Sequence, residues 1–292
     1  MNNRCTLKNE PEITITDDDF ERFREFFYRK TGIMLFDQSK RYFVDRRLIE
    51  RIKATGNNSF KSYFIFLRLE SSGKELQNLI NALTINETYF FREEYQFQCM
   101  VNRMLPEIVL RKRRGDIIKI WSIPCSTGEE PYSVAIYLLE YWKDIDKWDI
   151  EIISSDIDTN ALENAKKGIY SERSVQNLPK SIIQKYFRYL GNGYYQICEE
   201  LRNSVEFTRV NIVDTNETKR YRGFDIVFCR NLLIYFDDLS RKIAVENLYD
   251  TMNPGGFICL GHSESMSRIS PIFKIRKFPE AVVYQKPLEE DK

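Results

Sequence analysis

Residues Ile117 to Ser133 read IIKIWSIPCSTGEEPYS. An apolar run, IIKIWSIP, enters a short loop, and the stretch from Pro131 through Trp142 reads as a helix with proline near its first turn. Strand, tight loop and helix start is the place where nucleotide-binding α/β folds hold their ligand. Loops that hold phosphate are usually rich in glycine and free of acid, because bare backbone N–H groups and the helix dipole attract anions. This loop has one glycine, Gly128, followed by two carboxylates, Glu129 and Glu130. Those acids would oppose a phosphate. They would suit a ligand with hydroxyls, an ammonium or another positive centre.

Downstream, strands and helices alternate. DIEIISSDID predicts a strand ending in acid, and TNALENAKKG a helix capped by Asp158 or Thr159 and stopped by Gly168. FDIVFCRN reads as a strand and LSRKIAVENLYDTM as a helix. NPGG then turns the chain into the strand FICLGH, and FKIRKF with AVVYQK reads as a hairpin. This alternation argues for a parallel, doubly wound sheet. Residues 170–205 interrupt it with a short helix (KSIIQKYFRYL), the turn GNG and a strand-like YYQIC, which predicts a small β insertion at about 186–207.

Upstream the pattern is helical. A helix near Tyr95–Arg113 ends in the basic cluster RKRRG. Residues 1–83 read as an all-α domain. Thr16 or the Asp17–Asp19 run starts a helix that Gly32 stops, and a second helix runs near Ser39–Ala54. In that second helix Val44, Leu48 and Ile52 form an apolar stripe, while Lys40, Arg47 and Arg51 fall on another. Between residues 20 and 70 there are 12 Lys/Arg against 6 Asp/Glu, so this domain is basic.

The whole chain of 292 residues is nearly balanced, with 44 basic and 43 acidic side chains. It therefore has no bulk attraction to nucleic acid or membrane. No apolar run reaches the ~18 residues of a membrane span. The N-terminus MNNRCTLKNEPEITITDDDF lacks the apolar core of a secretory signal. The six cysteines form no CxxC pair and read as buried thiols of a reduced, cytoplasmic protein. One histidine, His262, cannot supply a His-rich metal cluster, and no metal is expected.

Asp156 ends the second predicted strand, where such folds bind the ribose hydroxyls of a nucleotide. Together with the acidic loop it points to a nucleoside that carries positive charge and no phosphate. S-adenosylmethionine has an adenosine, a sulfonium and an α-ammonium. Against this stands a simpler account, since acids in a helix's first turn stabilise its dipole by roughly 0.3–1 kcal/mol without any ligand.

Four stretches taken together are more specific: LTINETYFFRE (Leu83–Glu93), WSIPCSTGEEPYSVA (Trp121–Ala135), SSDIDTNALENAKKGIY (Ser154–Tyr170) and FCRNLLIYF (Phe228–Phe236), followed by GHSE (Gly261–Glu264). In this order, and with the basic helical domain before them, they resemble the CheR family of chemotaxis receptor glutamate methyltransferases over nearly the whole chain. The resemblance implies a Rossmann-like class I methyltransferase sheet over residues 95–292, preceded by a linker at 84–94 that contributes to the active site. It implies methyl esterification of glutamates on the cytoplasmic helices of chemoreceptors, with S-adenosylmethionine converted to S-adenosylhomocysteine. It further implies cofactor contacts from Asn86, Thr88, Arg92, Glu130, Asp156, Asn211, Ile212, Arg230 and Asn231, with Asp156 on the ribose and Asn211 and Ile212 beside the adenine. Tyr235 matches a tyrosine close to the transferring methyl. Which of Glu129 and Glu130 makes the contact stays open.

A glutamate acceptor, with reference pKa near ~4.3, is already ionised at neutral pH, so the absence of a catalytic histidine is no objection. Arg92 could hold the acceptor carboxylate through two N–H groups, and Tyr235 could orient it or touch the methyl. Without the family pattern, Arg92 reads as a salt-bridge partner of Glu93 or Glu94, Tyr235 as a core aromatic and Asn231 as a turn cap. The basic stripe of Lys40, Arg47 and Arg51 could steer an acidic helical substrate. In some family members the β insertion docks a receptor's C-terminal peptide. Here it reads as short, so tail docking is doubtful and recognition falls to the N-terminal domain of a monomer. The rivals are a dinucleotide oxidoreductase, which needs GxGxxG, and a methyltransferase of the same fold acting on another protein or on nucleic acid. Amino-methylating enzymes on nucleic acid usually carry Asn/Asp-Pro-Pro-aromatic where this chain has CRNLLIY. A catalytically dead binding module is disfavoured by the presence of Arg92, Asp156 and Tyr235.

Overall fold

The computed structural model describes residues 13–34 and 38–288. Cys5, most of the N-terminal stretch read for a secretory signal and the side chain of Lys40 lie outside the described residues. The chain divides into two compact units, Met1–Leu83 and Thr84–Lys292.

The first unit is helical. Helix α1 (Asp17–Thr31) begins at Thr16, whose hydroxyl accepts from the Asp19 N–H while the Asp19 carboxylate accepts from the Thr16 N–H. It ends at Gly32, where φ is 71°. Helix α2 (Gln38–Ala54) buries Val44, Leu48 and Ile52, the stripe their spacing predicts. Helices α3 (Phe60–Leu69) and α4 (Lys74–Leu83) complete the described part of the unit.

Arg51 departs from the expected basic stripe. Its Nε and Nη2 donate to the two oxygens of Glu75 on α4 at 3.0 and 2.6 Å, and the Tyr63 hydroxyl donates to the same carboxylate at 2.8 Å. Glu75 is buried and needs this counter-charge. A pairing across 24 residues cannot be read from spacing along one helix. Arg47 donates to Glu50 at 2.9 Å and lies over the Phe43 ring.

The second unit opens with the linker 84–94, then α5 (Tyr95–Cys99), a π-helical turn (Met100–Met104) and α6 (Leu105–Val109). The sequence predicts one helix to Arg113. Pro106 accounts for the break, because it cannot donate a bond to the preceding turn and its ring crowds the carbonyl there; the wider turn relieves the clash.

The following elements are, in order, β1 (Ile117–Ser122), α7 (Glu129–Tyr141), β2 (Asp149–Asp156), α8 (Thr159–Lys167), β3 (Ile169–Ser171), α9 (Glu172–Val175), α10 (Lys180–Tyr186), β4 (Phe187–Gly191) and β5 (Tyr194–Ile197). Then come α11 (Glu199–Asn203), β6 (Val205–Arg209), α12 (Thr215–Thr218), β7 (Phe224–Cys229), α13 (Asp238–Thr251), β8 (Met252–Leu260), β9 (Lys274–Lys277) and β10 (Val282–Gln285). Among the described residues the main sheet has seven strands in the order β6-β2-β1-β7-β8-β10-β9. β1 pairs in parallel with β2 and β7, β2 with β6, and β7 with β8; β10 is antiparallel to β8 and β9. This is the parallel, doubly wound core that the alternation predicts, in the Rossmann-like class I methyltransferase layout that the resemblance implies. The order reverses between β1 and β7, the switch point where such sheets open a crevice at the carboxyl ends of their strands. Ile118, Ile120, Ile226, Phe228 and Phe257 are completely buried, as strands covered on both faces require.

Two expectations change. NPGG lies inside β8: Phe224 pairs with Met252 and Ile226 already with Phe257, so the segment between loops out as a bulge. The small antiparallel sheet has the order β3-β5-β4 and draws its third strand from Ile169–Ser171, upstream of the predicted 186–207. Val205 to Phe207 are not part of it, for β6 is the edge of the main sheet, in parallel with β2.

Candidate active site

The loop after β1 has most of its backbone already bonded. Cys125 N–H donates to Ser155 O at 2.9 Å, Ser126 N–H to Asp156 Oδ2 at 2.7 Å, and Gly128 N–H to Cys125 O at 2.9 Å. These three amides are not bare, unlike those of a phosphate-holding loop. Gly128 has φ 95°, and a Cβ there would stand 2.8 Å from Ala165 Cβ and 3.1 Å from the Tyr170 hydroxyl. Glycine is needed both for the turn and for the close approach of α8.

The two acids part company. Glu129 is buried, accepting from Thr127 Oγ1 and Ser174 Oγ at 2.7 Å each. Glu130 turns the other way, accepting from Ser122 Oγ at 2.7 Å and from Arg230 Nη1 at 3.0 Å. Burial raises the pKa of both, and the charges of Arg230 and Arg92 pull Glu130 back down. Glu130 is thus paired with Arg230, while Glu129 braces α9 through Ser174.

At the end of β2, Asp156 is buried and its carboxylate accepts from the N–H groups of Ser126 and Asp158. Burial lifts its pKa to about 6 against the opposing pull of these two donors. Asp158 does more than cap α8. One oxygen accepts from Asn160 and Ala161 N–H, and the other from Thr84 Oγ1 at 2.6 Å and Asn86 Nδ2 at 2.7 Å. Asn86 also accepts from Ser126 Oγ at 3.1 Å. The start of the linker is thereby tied across the loops that follow β1 and β2. Thr88 is half-buried two residues further on.

The aromatic pair of NETYFFR anchors the linker. Phe90 meets Tyr170 and Phe187 edge-on at 4.8 and 5.1 Å, and Phe91 meets Tyr137 at 5.3 Å. Phe91 and Glu93 take left-handed backbone angles, φ 57° and 53°, on either side of Arg92. Arg92 leaves the packed segment between them, donates to Glu87 O at 2.8 Å and lies over the Tyr89 ring. It has no ion pair to Glu93 or Glu94 among the described contacts. Glu93 instead accepts from Tyr95, Gln96 and the His262 N–H, and Glu94 from Tyr137.

Tyr235 is half-buried on the loop after β7. Burial raises its pKa, and the charge of Arg92 lowers it while Glu87 and Glu264 raise it. Asn231 on the same loop has φ 59°. Val210 N–H donates to Asp156 O at 3.0 Å, which brings Asn211 and Ile212 alongside the end of β2. Both are buried, and the Ile212 carbonyl accepts from Asn247 at 2.8 Å. Arg230 is buried: its guanidinium pairs with Glu130, reaches Glu93 at 3.5 Å and donates to the Arg92 carbonyl. Its side chain joins the loops after β1 and β7 to the linker.

Sequence reasoning gave Asp158 only its cap and left Glu93 and Glu264 without their roles. GHSE and SSDID were visible as motifs, but each carboxylate's partners lie on distant segments. The finished arrangement has buried carboxylates beside the switch point, loop amides at Cys125, Ser126 and Gly128 already bonded, and a linker arginine held by Glu87 O. It is suited to a cationic, hydroxyl-bearing ligand and to an anionic second substrate.

The sequence profile described as "CheR methyltransferase, SAM binding domain" matches residues 86–282, and "CheR methyltransferase, all-alpha domain" matches residues 18–84. The chain is 55% identical over 276 residues to Chemotaxis protein methyltransferase 2 of Vibrio cholerae, covering 94% of this chain and 95% of that protein. It is 35% identical over 283 residues to the Chemotaxis protein methyltransferase of Salmonella typhimurium, covering 92% and 91%. It is 33% identical over 258 residues to that of Borreliella burgdorferi, covering 87% and 90%. Among the described residues no helix is long and apolar enough to cross a membrane.

Proposed function

Because the chain belongs to the CheR methyltransferase family and is a chemotaxis methyltransferase that uses S-adenosylmethionine, we propose that it forms methyl esters on glutamate side chains of chemoreceptor cytoplasmic helices. The observation that supports this reading best is the linker carrying Arg92, tied by Asn86 to the loops after β1 and β2 and by Arg230 to Glu130, beside a loop whose acids favour a cation. The cofactor's positive charge matches the carboxylates of Glu130 and Asp156, and its lack of phosphate matches the occupied amides of the loop.

When bound, S-adenosylmethionine supplies an electrophilic methyl group on its sulfonium. Asp156 is assigned to the ribose hydroxyls, Asn211 and Ile212 to the adenine, and Glu130 to the ammonium end. Asn86, Thr88 and Asn231 close the rim. Arg230 acts through Glu130 and the linker, because its guanidinium is committed to both. Arg92 aligns the acceptor carboxylate, whose own negative charge makes it the nucleophile without a general base. Its hold must be loose enough to let charge neutralise as the ester forms. Tyr235 orients the acceptor carboxylate through its hydroxyl and helps exclude water. Acceptors on cytoplasmic helices place the working enzyme, a monomer in this reading, in the cytoplasm.

The test is transfer of tritiated methyl from S-adenosylmethionine to membranes carrying chemoreceptors. Release of the label by mild base is expected for an ester. Label that resists base would overturn the assignment to glutamate. Receptor-tail docking has its own test. The sheet β3-β5-β4 is larger than the hairpin read from sequence, with Tyr189 59% exposed at the edge strand. Recognition through the N-terminal domain alone would be overturned by micromolar binding of receptor-tail peptides in a pull-down.

A further inference from the structure

Glu264 sits on the turn after β8, and its carboxylate accepts four backbone N–H groups. Oε2 accepts from Asn231 at 2.8 Å and from Gly261 at 2.8 Å. Oε1 accepts from Leu233 at 2.7 Å and from Ile234 at 3.3 Å. Three of these donors belong to the loop that carries Asn231 and Tyr235. The loop curls its amides around one side-chain anion, as an anion-binding nest does around a free ion. The turn itself is closed by Glu264 N–H donating to Gly261 O at 2.9 Å.

Gly261 shows how tightly the two segments meet. A Cβ there would lie 2.7 Å from Asn231 Nδ2, 2.8 Å from Asn231 N and 2.9 Å from Glu264 Oε2. No real Cβ tolerates such contacts with backbone. The same turn grips the linker: His262 N–H donates to Glu93 Oε1 at 3.3 Å, next to Arg92. Just before it, the Leu260 carbonyl accepts from Gln96 Nε2 at 2.7 Å. One four-residue turn therefore holds the neighbours of Arg92 on one side and the loop of Tyr235 on the other.

We propose that Glu264 is a positioning residue for methyl transfer, setting the Asn231–Tyr235 loop so that Tyr235 stays in register with Arg92. This rests on the active-site reading given above. A carboxylate is required because it offers two acceptor oxygens, each facing two donors. A carboxamide turns N–H groups toward two of them, and an aspartate is one methylene short. The loop then relaxes while β7 and β8 persist, since their pairing does not depend on Glu264.

The experiment is a double-mutant cycle with Glu264→Gln and Tyr235→Phe, read as tritiated-methyl transfer to chemoreceptor membranes, with S-adenosylhomocysteine titration as the check on folding. Glu264→Gln is expected to lower kcat about 10- to 100-fold, the loss typical of a displaced reacting group, with little change in KM for the receptor. In the Tyr235→Phe background the same substitution should add little further loss, because it acts through Tyr235. Independent, multiplied losses would overturn the proposal, as would wild-type kcat in Glu264→Gln. If Glu264→Gln does not fold, Gly261→Ala takes its place in the cycle: its Cβ displaces the same loop from the other side, and the same non-additivity is required. The underlying reading fails separately, by absence of base-labile transfer in the wild type or by full kcat in Tyr235→Phe alone.

Discussion

The guanidinium of Arg230 stands 3.0 Å from the carboxylate of Glu130, across 100 residues of sequence, with side-chain exposures of 2% and 12%. Such a pair is costly to create but more costly to break, because either partner alone is a buried uncompensated charge. Arg230→Met is therefore expected to lower stability by about 3–5 kcal/mol. Urea unfolding of the variant, followed by circular dichroism, measures it. A loss below about 1 kcal/mol would mean that the pair behaves as an exposed one does.

Asp156 gives a pH signature. Its pKa is raised from 3.8 to about 6 by burial. A raised carboxyl binds protons more tightly in the folded protein, so the ligand-free protein should lose stability as pH rises through that interval. Asp156→Asn should abolish this loss. Cofactor binding runs the other way. An ionised carboxylate is the better acceptor for ribose hydroxyls, so affinity should hold above about pH 6 and weaken below it. Calorimetric titration with S-adenosylhomocysteine across that range checks the point, with a flat, weakened profile expected for Asp156→Asn.

Arg92 should separate turnover from binding. It donates to Glu87 O and lies over the Tyr89 ring, with no carboxylate partner in the described contacts. Arg92→Ala is expected to lower kcat about 100-fold through lost alignment of the acceptor. Affinity for S-adenosylhomocysteine should change only a few-fold. Equal losses in both quantities would reassign Arg92 to the cofactor alone.

In the N-terminal unit, Arg51 and Arg47 should behave differently although they share a helix. Arg51→Met leaves Glu75 buried without its counter-ion and should cost about 3 kcal/mol of stability. Arg47→Glu, on an exposed pair with Glu50, should leave stability within about 0.5 kcal/mol. It should instead raise KM for the receptor, most clearly at low salt, where charge steering is least screened. Thermal melts and methyl-transfer kinetics on the two variants distinguish the roles.

Much of the fold is visible in local chemistry. The capping box at Thr16, the stop at Gly32 and the strand–loop–helix around Gly128 are determined by neighbours a few residues apart. What stays hidden depends on distant partners. Arg51 reads as a surface charge until Glu75 packs beside it, and Glu264 reads as one acid in GHSE until the loop after β7 closes around it. Glu129 and Glu130 differ in a way the sequence does not show: adjacent helical residues point about 100° apart, one toward Ser174 and the other toward Arg230. The extent of the small sheet was hidden for the same reason, since β3 is three residues long and gains its identity only by pairing with β5.

The occupied amides of the loop at Gly128 have a metabolic consequence. ATP and NAD carry the same adenosine as the methyl donor, yet each brings phosphates that find no free N–H groups at Cys125, Ser126 or Gly128 and two acids close by. ATP and NAD are therefore expected to displace S-adenosylhomocysteine only weakly, which competition in calorimetric titration checks.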